Sequence, residues 1–406
     1  MLKRRLRQMK RYDLLTPEGT RDLLFDECIA KRSIQEKLRK IFTAYGYSEV
    51  LTPGLEFYDV FNGKVRYFPQ ETMYKLIDGK NRLMVLRPDN TMPIARLAAT
   101  RLRAESLPLK LYYNQSIFMV NPKNSGRDDE FTQSGIEILG GEKTAADYEA
   151  LSLAAQALNA CDEDFRLEIG ESGIFRTAVD DLNLSEEQSE LIHSLIEGKN
   201  HPALAEALSG ISGEAAELCR SLPSLFGEAE VFDAAEKLMY KPELREKLAY
   251  LRSIYEGLCS MGYEGRIRVD LGLAHKKNYY TGILFRGYVE GYGLPVLSGG
   301  RYDTLLGDFG RNAAAVGFAV NVEAAAKVFL KAAAQPLTKP VDVLVYSEKG
   351  AETSALIHCQ KLIGSGKSVF NSLCDTIQAA EEYAAKHDIH RIDVVSADGS
   401  VTEKEV

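Results

Sequence analysis

Asp89, Thr91, Gln133 and Glu137 are the side chains whose types and spacing offer the clearest chemistry. In FTQSGIEIL (131–139) strict alternation puts Gln133, Gly135 and Glu137 on one face of a strand and Ile136 and Ile138 on the other. An amide, a gap and a carboxylate in a row make a hydrogen-bonding floor, with Gly135 leaving room for a ligand. The same face would also suit water, and the pattern alone leaves both readings open. In LRPDNT (86–91), Asp89 and Thr91 have the types that cap a following helix or bind a ligand. Two other motifs carry less. GSGKS (364–368) is a phosphate loop only with a glycine at 361, where the chain has Lys361, and it follows a helix rather than a strand. His387 and His390 form an HxxH with no carboxylate or cysteine cluster beside it, so no metal site is expected. No Ser-His-Asp or Cys-His constellation follows from spacing, and no catalytic residue is assigned.

The elements that would position these side chains can be read from periodicity. Ile34, Leu38, Ile41, Phe42 and Tyr45 fall at helical spacing over about 26–45, with Gly46 as a stop. RLMVLRP (82–88), LKLYY (109–113) and FTQSGIEIL read as strands, with helices over about 91–103 and 144–159. From about 162 to 260 the pattern turns helical, and over 162–240 there are 18 acidic residues against 5 basic ones. We read 162–260 as an acidic helical insertion, whose surface would repel a phosphate backbone. Strands return at about 266–271, 279–290 and 294–298, with EGYG (290–293) as a hairpin turn, and a helix starts near 321. After QPLTKP (335–340), a linker, 341–406 carries a small βαβαβ pattern.

The 406 residues allow two or three domains, and the net charge of -8 disfavours nucleic acid and acidic membranes as partners. Six scattered cysteines without a CxxC pair suggest reduced thiols in a cytoplasmic protein. No apolar run is long enough for a membrane span, and the basic N-terminus MLKRRLRQMKR lacks an apolar stretch after it, so it reads as a solvated leader.

Several tracts, in matching order over about 16–330, resemble the histidyl-tRNA synthetase family. TPEGTRDLL (16–24) is similar to its N-terminal signature, and LTPGLEFYDVF (51–61) to motif 1 of class II synthetases, with Pro53 at its centre. LRPDNTMPIAR (86–96) resembles its LRPEGT stretch and FTQSGIEILG its QxGxE strand. NYYTGILF (278–285) and SGGRYDTLLGDFG (298–310) resemble its histidine signatures, and VGFAVNVEAA (316–325) sits where motif 3 should be. The resemblance implies an α+β fold: an antiparallel sheet flanked by helices, built from 1–161 and 261–334, with the helical insertion and a small C-terminal α/β unit.

Departures from the family pattern are as informative as matches. The arginines that hold ATP in motifs 2 and 3 are replaced by Met119 and Ala324, and His275 stands where the histidine-specific catalytic arginine is expected, beside Lys276 and Lys277. A charged hydrogen bond contributes roughly 1.5–3 kcal/mol. Losing two would cost about 3–6 kcal/mol, or about two to four decades in rate. The amino-acid pocket is retained: by resemblance Asp89, Thr91 and Gln133 hold an α-amino group, Glu137 and Tyr280 bind an imidazole ring, and Tyr279 lies beside them. A histidine pocket without ATP machinery resembles the regulatory subunits of ATP phosphoribosyltransferase. That resemblance implies a non-catalytic protein without cofactor or tRNA. It would form a homodimer through motif 1 and a hetero-octamer with a short-form catalytic subunit, whose first step of histidine biosynthesis it activates and makes sensitive to histidine. The alternatives are a divergent active histidyl-tRNA synthetase, betrayed by histidine-dependent pyrophosphate exchange, and a ligand-binding or ligase paralogue of another class II lineage, betrayed by preference for a different amino acid.

Overall fold

The computed structural model describes residues 12–62, 68–122, 128–273 and 280–406. It divides into two compact units, 1–333 and 334–406. The architecture is α+β, as the sequence implies.

In the first unit, helix Asp26–Ala44 buries Ala30, Ile34, Leu38 and Phe42, one residue per turn, along the stripe that faces the sheet. Ile41 is half-buried, and Tyr45 turns outward to accept a hydrogen bond from Gln156. Gly46, with φ of 80°, ends the helix as expected. A second long helix, Lys143–Cys161, is apolar on most sides, with Ala150, Leu151, Ala154 and Leu158 buried. Glu142 begins it by accepting from the Thr144 and Ala145 amides.

These helices flank a nine-stranded sheet. Its centre runs Leu109–Phe118, Glu130–Leu139, Ala315–Asn321, Leu297–Arg301, Ile283–Val289 and Phe165–Glu171, all antiparallel neighbours. Short strands Ser48–Glu49 at one edge and Ile267–Asp270 near the other join in parallel. Sequence-distant segments are thus adjacent: Glu130–Leu139 lies between Leu109–Phe118 and Ala315–Asn321. A smaller sheet pairs Leu83–Leu86 with Leu55–Phe57 and Lys75–Ile77, directly before helix Thr91–Ala99.

The segment read as helical from about 162 opens instead with the strand Phe165–Glu171, whose Phe165, Leu167 and Ile169 are buried in the main sheet. Helices follow, among them Ser172–Asp180, Glu186–Glu197 and Pro242–Leu258, and they belong to the same compact unit as the sheet.

The second unit is a four-stranded sheet ordered Val369–Asn371, Val343–Ser347, Arg391–Val395 and Val401–Glu405. The first three are parallel, and the last, which the pattern did not announce, pairs antiparallel to Arg391–Val395. The GSGKS glycines do turn chemistry here: Gly364 ends helix Glu352–Gly364, and Gly366 has φ of 87°. His387 stacks on Tyr383, and no group of three or more potential metal ligands occurs among the described residues.

Candidate functional site

One strand, one helix start and the segment just before a second strand bring the sequence-derived residues together. Asp89, Thr91, Gln133, Glu137 and Tyr280 line one cavity in the middle of the main sheet. Tyr279, together with His275, Lys276 and Lys277, lies outside the described residues.

Asp89 takes the cap role, and both Asp89 and Thr91 line the cavity. The Asp89 carboxylate accepts the Thr91 and Met92 amides, at 2.8 and 3.2 Å, and so caps helix Thr91–Ala99. The Thr91 hydroxyl donates to Glu137 Oε1 at 2.8 Å. Gln133 Oε1 accepts from Asn90 Nδ2 at 3.0 Å, and the fully buried Asn90 accepts in turn from Gln115. An amide oxygen has two lone pairs, so Gln133 can still accept from a ligand ammonium.

Glu137 is 1% exposed. Its second oxygen accepts from the Tyr302 hydroxyl. Burial pushes the Tyr302 phenol well up, and the Glu137 charge adds to the effect; burial, Glu137 and Asp89 act likewise on Tyr113. Both phenols therefore keep their protons, and Tyr302 serves as a donor to Glu137. Gly317 is required on the neighbouring strand, because a Cβ there would collide with the Glu137 carboxylate.

Tyr113, Ser298, Tyr302 and the Gly317–Ala319 backbone also line the cavity, and no site role had been read for them from sequence. For Tyr113 a signal existed: it sits on the alternate face shared with Leu111 and Gln115 and pairs in register with Gly135. Gly135 does not leave space for a ligand directly. A Cβ there would meet the Phe318 carbonyl and lie 2.8 Å from the Tyr113 hydroxyl, so the glycine admits the neighbouring strand and the phenol.

A wider cleft of about 750 Å³ adjoins the cavity and shares Gln133, Ser298 and Ala319 with it. Met119 and Ala324, the positions where class II motifs 2 and 3 would carry arginines, both line this cleft. Its cations among the described lining residues are Arg286 and Lys327. Arg286 pairs with Glu197 at 2.7 Å and Lys327 with Asp128 at 3.3 Å. Cations already neutralised in this way make a weak receptor for a polyphosphate.

Residues 19–325 match the family model described as Histidyl-tRNA synthetase. A protein of Clostridium acetobutylicum, named ATP phosphoribosyltransferase regulatory subunit, is 39% identical over 381 residues, covering 93% of this chain and 94% of that one. The chain belongs to the ATP phosphoribosyltransferase regulatory subunit family, within the wider histidyl-tRNA synthetase group. Another member of the regulatory subunit family, from Bacillus cereus, is 36% identical over 386 residues, 94% of this chain and 91% of that one. The fold of the present chain is similar to the crystal structure of an ATP phosphoribosyltransferase regulatory subunit/histidyl-tRNA synthetase from Bacillus halodurans, with TM-score 0.81 and 27% identity over 94% of this chain and 98% of that one. No helix among the described residues is long and apolar enough to cross a membrane.

Proposed function

We propose that this chain is the non-catalytic, histidine-sensing subunit of an ATP phosphoribosyltransferase, working in the cytoplasm with a short-form catalytic subunit in a hetero-octamer built on homodimers. The single observation that carries the reading is the contrast between the two hollows. Five residues that resemblance assigns to histidine share one cavity, whereas the adjoining cleft has Met119 and Ala324 at the arginine positions and only paired cations among its described lining residues.

In this reading Asp89, Thr91 and Gln133 hold the ammonium group of histidine. Glu137 and Tyr280 hold its ring, with Tyr279 beside them. A carboxylate accepts an imidazole N–H, and aromatic faces supply the apolar wall. Association with this subunit favours the active catalytic partner, and histidine favours a less active arrangement. A coupling of about 1–3 kcal/mol between the sites is sufficient. Domain limits of 1–161 with 261–334 for the core, 162–260 for the insertion and 341–406 for the C-terminal unit belong to the same proposal, except that the strand Phe165–Glu171 pairs within the core sheet.

The test is phosphoribosyl-ATP formation by the short-form catalytic subunit, without this protein, with it, and with it plus histidine. Activity that rises with the mixture and falls on adding histidine is the expected result. Glu137→Ala should abolish most of the histidine inhibition while the complex with the catalytic subunit still forms. An unaltered catalytic rate in the mixture, with histidine-dependent pyrophosphate exchange by this chain alone, would instead identify a working synthetase.

A further inference from the structure

Glu137 is held from two sides, and its second holder comes from a distant part of the chain. Thr91 donates to one oxygen and Tyr302 to the other. A carboxylate held by two hydroxyl donors faces the cavity as an acceptor. Tyr302 itself has little freedom. Its amide donates to the Ala315 carbonyl at 2.7 Å, and its side chain is 2% exposed. Next to it, Arg301 is anchored on Asp147 at 2.7 Å, and the Arg301 carbonyl accepts the Thr281 amide at 2.7 Å. That bond secures the residue after Tyr280. Gly300 completes the arrangement, since a Cβ there would lie 2.7 Å from the Tyr280 ring. The Gly300–Tyr302 tract thus arranges both residues assigned to the ligand ring.

We propose that Tyr302 is a specificity-determining residue that acts through Glu137. By donating to Glu137 it keeps that carboxylate turned as an acceptor, so the cavity selects a ring that directs an N–H at it. A ring with a lone pair or an N-methyl group in that direction is refused. The inference rests on the reading that the cavity binds histidine, and it adds the residue that makes Glu137 selective for the ring. Tyr302 is a positioning residue with respect to Glu137, so its effect should appear as selectivity rather than as stability alone.

The test is calorimetric titration of the full chain with histidine and with each of the two ring N-methylhistidines. The parent should bind at least one N-methyl isomer about tenfold or more weakly than histidine, the effect of one lost charged hydrogen bond. Tyr302→Phe should bind histidine about tenfold more weakly and discriminate less between the isomers. In a Glu137→Gln background the same substitution should add little, because one unit would already be broken. Thermal melting of each variant checks folding. Parent-like affinity and selectivity in Tyr302→Phe, or full additivity with Glu137→Gln, would overturn the proposal. Should Tyr302→Phe not fold, the parent decides: equal binding of histidine and both methylated isomers overturns it, and rejection of one supports it. Absence of histidine binding to the parent would remove the functional reading first, and this inference with it.

Discussion

The cavity and the cleft share a wall and differ in how their polar groups are employed. In the cavity, buried hydroxyls, amides and carboxylates bind one another across three chain segments, Asp89–Thr91, Gln133–Glu137 and Tyr302. In the cleft, half-buried cations pair with nearby carboxylates, Arg286 with Glu197 and Lys327 with Asp128. A buried network has few alternatives to its present geometry, because an unmade bond there carries the full desolvation cost. Half-exposed ion pairs are replaceable by water. The difference teaches where ligand specificity can be kept over time: in the network that cannot relax, rather than in charges that solvent can satisfy.

The largest expected effect falls on the network's support. Arg301 and Asp147 have side chains 2% and 0% exposed, and Arg301→Leu leaves a buried carboxylate without its cation. A loss of about 3–5 kcal/mol in unfolding free energy is expected, read from urea denaturation. Next comes Glu137→Gln, for which histidine affinity should fall about 10- to 100-fold by titration. A fall of less than twofold, on the order of 0.4 kcal/mol, would erase the contrast between the hollows.

The cleft side should respond more weakly. Burial, and then the charge of Asp270, raise the Glu168 carboxyl above its usual range, in a place that Arg286, Lys199 and Tyr288 also face. A raised folded-state pKa means the folded chain holds this proton more tightly than the unfolded chain. Its contribution to stability is therefore greatest at low pH and is lost as pH rises through the folded value. Glu168→Gln should stabilise the chain at about pH 7.5 and give a smaller gain at about pH 5, measured as unfolding midpoints. The smallest effect belongs to Arg286→Leu: about 0–1 kcal/mol in stability, with histidine affinity held within about twofold.

How much of this was readable in advance follows the range of the interactions. Helix Asp26–Ala44 was legible because Ile34, Leu38 and Phe42 repeat on one face, a purely local signal. Asp89 and Thr91 were legible as types, but the choice between cap and ligand group was not; the structure makes Asp89 a cap and puts both residues on the cavity wall. The strand Phe165–Glu171 carries its own alternation in Phe165, Leu167 and Ile169, yet it is short and borders an acidic, helical stretch, so regional composition masked it. Gly135 was legible as a gap but not as a gap for the next strand, since its neighbours at 318 and 319 are set by sheet order. Tyr302 could not be found at all by periodicity. It meets Glu137 across 165 residues of chain, and only the fold supplies that encounter.

The placement of Gln133 and Glu137 on a single strand makes that strand a ruler. Four residues of extended chain measure about 13 Å along the backbone, and both side chains line the cavity. Both neighbouring strands lock this ruler through continuous pairing from Gln133 to Leu139. A single inserted residue would not lengthen the cavity slightly; it would turn one of the two side chains to the opposite face of the sheet. The size of the accepted ligand can therefore change only in jumps of two residues, about 7 Å each. Gradual drift toward a somewhat longer or shorter amino acid is closed to this architecture, so new ligands must be won by exchanging side chains at fixed graduations.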